Sequence, residues 1–227
     1  SSADTAEKLR LQQEQNKASR KQAGTEYELM VAEKLLSEFS DWTSTGRAHL
    51  LYDVKIPNTQ IDILLIDTSG IYIIECKRWK GLIVGKHSWP VWFQIDCKIV
   101  NNKPDVESPT YNADKYVSCK ILPAPVEQNE IHMKKLQDFI CDSGIREDLK
   151  FKRLSVMNST GYLDFIQKDT DTQKNWIKNY IWLGKDEDIV SAIQDYDCRT
   201  LEATRMKPEQ VEAIYQLLKP YAAAHDE

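Results

Sequence analysis

The stretch QIDILLIDTSGIYIIECK, residues 60–77, decides the fold of this protein. Two apolar runs, 60–66 and 71–77, flank residues 67–70, whose Asp-Thr-Ser-Gly sequence has the composition of a turn. The pattern predicts a β-hairpin with Thr68 and Ser69 at its tip. Both faces of both strands are apolar over most of their length, so we expect central strands covered on both sides.

This turn also predicts the register of the hairpin, because a one-residue slip would move every side chain to the opposite face. Near the turn, Ile66 faces Ile71 and Leu64 faces Ile73. At the open end the same register pairs Asp62 with Glu75, Gln60 with Lys77 and Ile61 with Cys76.

Two carboxylates that face each other at a buried strand end repel and are costly to desolvate. A divalent cation between Asp62 and Glu75 would offset that cost, since Mg²⁺ prefers oxygen ligands. Lys77 points to the same side, where its ammonium group can hold a water or a phosphate oxygen, as metal-assisted phosphodiester hydrolysis requires. The alternative is structural: a diagonal ion pair between Asp62 and Lys77, with Glu75 solvated.

The rest of the chain predicts a mixed α/β domain over residues 24–227, preceded by a polar helical extension or linker over 1–23. Residues 26–38 carry an apolar stripe and predict a core-facing helix. Further strands are expected at 49–56, 81–85, 91–94, 98–100, 154–158 and 180–184, with 91–94 and 98–100 forming a hairpin. Further helices are expected at 112–121, 126–141, 187–196 and 208–221.

The amino-acid composition excludes some classes of function. The chain has 30 Lys and Arg against 35 Asp and Glu, a net charge of −5, which excludes a protein held to DNA or membrane by bulk positive charge. Five cysteines without a CxxC pair argue against structural zinc and a disulfide framework, so we expect a cytoplasmic protein. There is no apolar run long enough for a membrane span. The chain begins with Ser1 rather than Met, and we expect a piece of a larger multi-domain protein.

Several segments match a known pattern in order. Asp62, followed by Glu75-Cys76-Lys77 on the next strand, is similar to the D…(D/E)xK motif of the PD-(D/E)xK nuclease superfamily. The surroundings are more specific, and over about residues 24–140 they resemble the nuclease-related domain family, NERD. The matching segments are Thr25-Glu26-Tyr27 with Thr25 in place of Gly, Gln60-Ile61-Asp62, residues 70–77, Gly81, Gly85 and Trp89, and the helix segment 125–129 with His132 and Leu136, before which Ala124 replaces Asn.

The resemblance implies a restriction-endonuclease-like core, a mixed central β-sheet flanked by helices. It implies a Mg²⁺ or Mn²⁺ site formed by Asp62, Glu75 and the backbone carbonyl of Cys76, with Glu26 approaching from the preceding helix. Glu26 could instead be a first-turn residue favoured by the helix dipole.

The same resemblance implies a catalytic Lys77 that positions the attacking water, and a catalytic Gln128 that packs over the site from its helix. We also expect Gln60, Arg78 and His132 to contact substrate. Gln128 and His132 share one helix face, where an ordinary hydrogen-bonding pair is the alternative. Arg78 could equally be a solvated strand end.

These features predict a metal-dependent nuclease domain, with DNA as the expected nucleic acid and a bacterial defence or mobile-element system as a possible setting. The alternative is a catalytically weak NERD module that binds nucleic acid or a partner protein. A homo-oligomer is possible in either case.

Overall fold

The computed structural model of the protein describes residues 2–85, 89–95, 99–101, 103–104, 119–145, 149–158, 162–165 and 181–223. The helices are α1 Ser2–Glu38, α2 Ser40–Ser44, α3 Pro125–Asp142, α4 Ile189–Arg199 and α5 Pro208–Leu218. The strands are β1 Ala48–Ile56, β2 Thr59–Asp67, β3 Gly70–Lys77, β4 Leu82–Gly85, β5 Val91–Ile95, β6 Ile99–Val100, β7 Lys103–Pro104, β8 Cys119–Pro123, β9 Phe151–Met157, β10 Tyr162–Phe165 and β11 Ile181–Lys185.

A five-stranded mixed sheet in the order β1-β2-β3-β9-β11 forms the centre. The first three strands are antiparallel neighbours, and β9 and β11 continue the sheet in parallel. Strand β3 therefore lies inside the sheet with a partner along each edge. Its two faces are apolar because helices cover both sides of the sheet. The predicted mixed sheet flanked by helices is confirmed.

The register of the β2–β3 hairpin is confirmed near the turn, where Ile66 pairs with Ile71 and Leu64 with Ile73. The ladder ends at Ile63 and Ile74, so the three predicted pairs beyond it are wrong. In those pairs Asp62 faced Glu75, Ile61 faced Cys76 and Gln60 faced Lys77.

The physical reason is a change of side-chain alternation at Asp62. Ile61 packs on the same side of the sheet as Leu64, three residues away, whereas strict alternation would put it on the other side. Cys76 belongs to the opposite core cluster. Strand β2 therefore diverges from β3 at this point, while β3 stays paired with β9 as far as Lys77 and Met157.

Helices cover both faces of the central sheet. One apolar cluster joins the sheet to α1 and α4, through buried residues that include Val31, Leu35 and Ile193. The other joins it to α3 and α5, through Leu136, Val211 and Ile214 among others. Helix α1 runs without a break from the polar extension into the predicted core helix, and only its C-terminal part carries buried residues among those described.

A second sheet in the order β10-β4-β5-β8 packs against the first beside the N-terminus of α3. The buried Trp92 side chain packs in the apolar cluster between the two sheets. A Cβ on Gly85 would lie 2.2 Å from the Trp92 ring, which explains why residue 85 is a glycine. Two predictions fail here. β5 pairs with β4 and β8, while β6 pairs with β7, so 91–94 and 98–100 do not form a hairpin with each other. Residues 119–121 are strand rather than helix, and 112–118 lie outside the described residues.

A buried polar cluster, which we call the turn lock, holds the closed end of the β2–β3 hairpin. The Asp67 carboxylate accepts hydrogen bonds from Arg47 Nε at 2.9 Å and from the Ser69 N–H at 2.9 Å. Lys152 on β9 donates to Ser69 O at 2.8 Å and to Thr200 Oγ1 at 3.1 Å. Burial lowers the pKa of Lys152 to about 8. This cluster lies at the end of β3 opposite Glu75.

Among the described residues, no helix combines the length and the apolar character that crossing a lipid bilayer requires.

Candidate active site

Glu75 is the buried acid at the open end of the hairpin. It is only 2% exposed, near the C-terminal end of β3. Its Oε1 contacts Lys77 Nζ, and its Oε2 lies 3.1 Å from His132 Nε2. Burial acts to raise the pKa of Glu75, but His132 and Lys77 outweigh it and hold the pKa below its usual value. Glu75 is therefore the ionised member of the site, and the structural alternative of a solvated Glu75 is excluded.

Asp62 is the second acid, and it reaches β3 through its side chain. Its Oδ2 accepts a hydrogen bond from the backbone N–H of Cys76 at 2.8 Å, in place of the ladder contact that the sequence predicts. Burial and the charge of Glu75 raise the pKa of Asp62 to about 8. The site thus holds one ionised carboxylate and one carboxyl group that resists ionisation, because it is buried and because the ionised carboxylate is close to it.

A third acid comes from α1, and it is Glu28 rather than Glu26. Glu28 is half-buried, and burial together with the charges of Glu75 and Asp53 raises its pKa. Glu26 is exposed, 3.7 Å from Arg78 Nη1, and accepts a hydrogen bond from Gln22 Nε2 at 3.1 Å. The structure therefore brings Glu28 to the other acids and leaves Glu26 outside.

The helical spacing carried a signal for Glu28. A spacing of three residues puts Glu28 about 60° around the helix from the buried Val31, whereas five residues put Glu26 about 140° away. Glu28 therefore lies beside the core-facing stripe of α1, where a carboxylate can be drawn toward the sheet.

Two of the residues expected to bind substrate contact other parts of the protein. Gln60 Nε2 donates to Asp53 Oδ1 at 2.6 Å. Arg78 Nη1 donates to Ala23 O at 3.0 Å, at the helix that also carries Glu26. Both residues are exposed, so their contacts lie at the rim of the site.

Helix α3 carries both His132 and Gln128, and it brings His132 to Glu75. His132 is 8% exposed and contacts Glu75, whereas Gln128 is half-buried and its backbone N–H bonds to Ala124 O at 3.0 Å. Asn129, which sequence reasoning did not single out, is fully buried and donates to Ile73 O and Leu154 O at 3.0 and 2.9 Å. Its signal is an amide within the apolar stripe of an amphipathic helix.

Asp62 and Glu75 are the residues that could hold a divalent cation, because carboxylate oxygens are the ligands that Mg²⁺ prefers. Bringing a cation between Asp62 and Glu75 would relieve the repulsion that raises the pKa of Asp62. Within the described ranges, however, no three His, Cys, Asp or Glu side chains lie close enough together to hold a metal ion. Mg²⁺ can be held by one or two carboxylates with water as the remaining ligands, but Lys77 would have to leave Oε1 of Glu75 before that oxygen could bind an ion.

The sequence model of the nuclease-related domain family matches residues 23–158. This is more than half of the chain. The chain belongs to the nuclease-related domain family. Neither the comparison with curated proteins nor that with solved structures gives a match.

The NERD match includes every element that carries the acids, from the C-terminal part of α1 to β9. Strand β11 and helices α4 and α5 lie beyond it, yet they complete the sheet and both core clusters. The resemblance to the PD-(D/E)xK superfamily agrees with this family and with the α/β architecture.

Proposed function

We propose that this NERD domain is a divalent-metal-dependent nuclease that hydrolyses phosphodiester bonds, with DNA as the expected substrate. The observation that carries the proposal is the close pair of acids, Asp62 and Glu75, beside Lys77 at one strand end. A structural ion pair would need one acid and one base, whereas this site has a second acid whose ionisation the first opposes. The nuclease-related character of the family supports the same conclusion.

Asp62 and Glu75 would hold a Mg²⁺ or Mn²⁺ ion, with Glu28 and the carbonyl of Cys76 as further oxygen donors. The bound ion would polarise the scissile phosphate and stabilise the leaving oxygen. Glu28 takes the place that the sequence suggested for Glu26, because Glu28 lies within the electrostatic reach of Glu75. Glu75 and the carbonyl of Cys76 lie next to each other because both residues occupy buried positions of β3.

Lys77 supplies the positive charge that the reaction needs beside the acids. Its ammonium group, which contacts Glu75 Oε1, would orient the attacking water or hold a phosphate oxygen. The net charge of −5 means that the whole surface does not attract a polyanion. Local cations therefore have to bring the phosphate to the acids, which supports a role for both Lys77 and a metal.

A second candidate function is a binding module without rapid cleavage. One observation favours it: both oxygens of Glu75 already contact side chains of the protein, Lys77 and His132. If that arrangement persisted with nucleic acid bound, the acids would stay unavailable to a metal, and the domain would bind nucleic acid or a partner protein without cutting.

Calorimetric titration of Mn²⁺ distinguishes the two candidates, with cleavage of plasmid and single-stranded DNA assayed on the same samples. We expect the wild-type protein to bind Mn²⁺ and to cut DNA, and the Glu75→Gln variant to do neither. The matched control is Glu127→Gln, which removes an exposed carboxyl from α3 and should behave as wild type. A wild-type protein that binds no Mn²⁺ would overturn the nuclease proposal in favour of the binding module.

A further inference from the structure

His132 occupies a buried position between α3 and the central sheet. It lies in the inward stripe of α3 with Val126, Asn129, Leu136 and Ile140, and only 8% of the residue is exposed. A side chain that reads substrate needs access to solvent, and this imidazole faces the sheet instead. Its two ring nitrogens must therefore serve groups within the protein.

The imidazole connects the end of β3 to the start of β2. Nε2 lies 3.1 Å from Glu75 Oε2, near the end of β3. Nδ1 lies 2.6 Å from Thr59 Oγ1, at the start of β2. The ring therefore links β2 to β3 through side chains at the end of the hairpin where the ladder between the two strands is missing.

Asn129 fixes the height of the ring above the sheet. Its amide donates to Ile73 O at 3.0 Å and to Leu154 O at 2.9 Å, which attaches α3 to β3 and β9 together. His132 follows Asn129 by three residues on the same helix face, and Glu75 follows Ile73 by two residues on the same strand face. The hydrogen bonds of Asn129 thus fix the part of α3 that carries His132 relative to the strand that carries Glu75.

The hydrogen-bonding chemistry of Glu75 and Thr59 favours one protonation pattern of the two ring nitrogens. A carboxylate only accepts hydrogen bonds, whereas a hydroxyl group donates as well as accepts. A proton on the nitrogen near Glu75 suits this pair of neighbours, because Thr59 can donate to the other nitrogen. The ring holds Nε2 3.1 Å from Oε2, a close contact that is not aligned as a hydrogen bond.

We infer that His132 is a positioning residue, which with Thr59 holds Oε2 of Glu75 and leaves Oε1, the oxygen next to Lys77, for the metal. The inference rests on the proposed function for its consequence, but the contact itself can be tested without metal. It replaces the substrate-binding role that the sequence suggested for His132 with an action through Glu75.

The first test reads the ring directly. NMR of protein carrying isotope-labelled histidine distinguishes which ring nitrogen is protonated, and the His132 signal is assigned by its loss in His132→Gln. We expect a protonated Nε2 in metal-free wild-type protein. A neutral ring protonated only on Nδ1 would overturn the inference, and this outcome is readable even if the protein binds no metal and the nuclease proposal fails.

The second test compares two replacements of similar size, His132→Gln and His132→Leu. Only glutamine keeps an N–H donor that can reach Glu75. We expect His132→Leu to weaken Mn²⁺ binding by about tenfold or more, and His132→Gln to recover most of that loss, as removal and rescue of a ligand's hydrogen-bond partner predict. Thermal unfolding of both variants shows that each is folded.

Two results would overturn the positioning role. One is a folded His132→Leu protein that binds Mn²⁺ as tightly as wild type. The other is a loss of Mn²⁺ affinity that is equal in the two variants, which would point to the volume or aromatic character of the ring rather than its N–H. Wild-type protein without Mn²⁺ binding would refute the nuclease proposal instead, and the NMR result would then decide the contact.

Discussion

The carboxylate of Asp62 accepts the backbone N–H of Cys76 at 2.8 Å, and this single contact replaces the ladder between β2 and β3 at their open end. It places a second acid beside Glu75 without the direct cross-strand pairing that a regular hairpin would give. Burial, together with the nearby charge of Glu75, raises the pKa of Asp62 to about 8, and this has a measurable effect on stability.

We predict that Asp62→Asn removes a pH dependence of stability. The ordinary pKa of this group is 3.8, so between about pH 4 and about pH 8 the folded protein keeps a proton that the unfolded chain has lost. Wild-type stability therefore falls as pH rises through this window. Asparagine keeps the acceptor for Cys76 without the charge, and at about pH 8 the variant should be more stable by about 1–2 kcal/mol, allowing for the partial exposure of Asp62.

Urea unfolding of metal-free protein at several pH values measures the effect. The control is Asp138→Asn, which removes an exposed carboxyl from α3 and should leave the pH dependence of wild type unchanged. A difference between Asp62→Asn and wild type that stays constant from about pH 5 to about pH 8 would contradict the raised pKa.

The same strand end shows how far the sequence could predict the site. The Asp-Thr-Ser-Gly turn and the apolar runs predicted the paired part of the hairpin, because alternation and turn position are local properties. The divergence at Asp62 depends on a side chain that competes with the backbone for one N–H, which no pattern of apolar residues reports. Asp62, Glu75 and Lys77 were singled out from that register and from the motif. The structure places the three side chains at the same strand end although the predicted pairing is wrong, because the Asp62 side chain reaches β3 by its own hydrogen bond.

We predict that Glu28→Gln, and not Glu26→Gln, impairs the site. Glu28 is half-buried and electrostatically coupled to Glu75, whereas Glu26 is exposed beside Arg78. Loss of Glu28 should weaken Mn²⁺ binding by about tenfold and slow cleavage, while Glu26→Gln should stay within about twofold of wild type. Calorimetry and cleavage rates of Glu28→Gln and Glu26→Gln check this prediction. An equal effect of the two changes would mean that α1 acts on the site only through its overall negative charge.

We predict opposite effects of Lys77→Met on binding and on cleavage. The Lys77 ammonium contacts Glu75 Oε1, so it competes with a cation for that oxygen. Its removal should tighten Mn²⁺ binding by about three- to tenfold, since the repulsion between the ammonium group and the cation is lost. Cleavage should nevertheless fall by about a hundredfold or more, because the water and the phosphate lose their positive partner.

The control for this change is Lys80→Met, which removes the same charge at an exposed position three residues further on. It should alter neither quantity appreciably. Weaker Mn²⁺ binding by Lys77→Met would show that Lys77 supports the metal site rather than competing for it.

We predict that the turn lock contributes stability and not catalysis. Asp67→Ala removes a fully buried carboxylate that pairs with Arg47 and caps Ser69. The free energy of unfolding should fall by about 2–4 kcal/mol. This is somewhat less than the cost of about 3–5 kcal/mol for leaving a buried charge unpaired, because Arg47 is partly exposed and keeps its pair with Asp197. Urea denaturation measures this loss, and Mn²⁺ affinity of the folded variant should stay at the wild-type value.

Asp195→Ala is the surface comparison, because Asp195 pairs with Arg199 on the exposed side of α4. That pair should contribute less than about 0.5 kcal/mol. A cost for Asp67→Ala as small as this would mean that the turn lock is dispensable.

The second sheet was harder to predict than the first. Residues 119–121 were predicted to end a helix, but they belong to a strand that pairs with β5. This strand covers Trp92 and its apolar neighbours, and it comes from a distant part of the chain. Pairing between distant segments is set by tertiary packing, which overrides local propensity. The closing helices α4 and α5, with strong amphipathic patterns of their own, were predicted correctly apart from their ends.

Strand β3 pairs with β9 along its length as far as Lys77 and with β2 as far as Ile74, beyond which the Asp62 side chain holds Cys76. The turn lock and Asn129 attach the hairpin at two further points. The backbone that carries Glu75 thus loses its conformational entropy when the protein folds, and little more can be lost when a ligand arrives. Free energy from ligand contacts is then available for binding and chemistry instead of ordering. Adaptation to a new substrate would come more easily from the exposed rim of the site than from this strand.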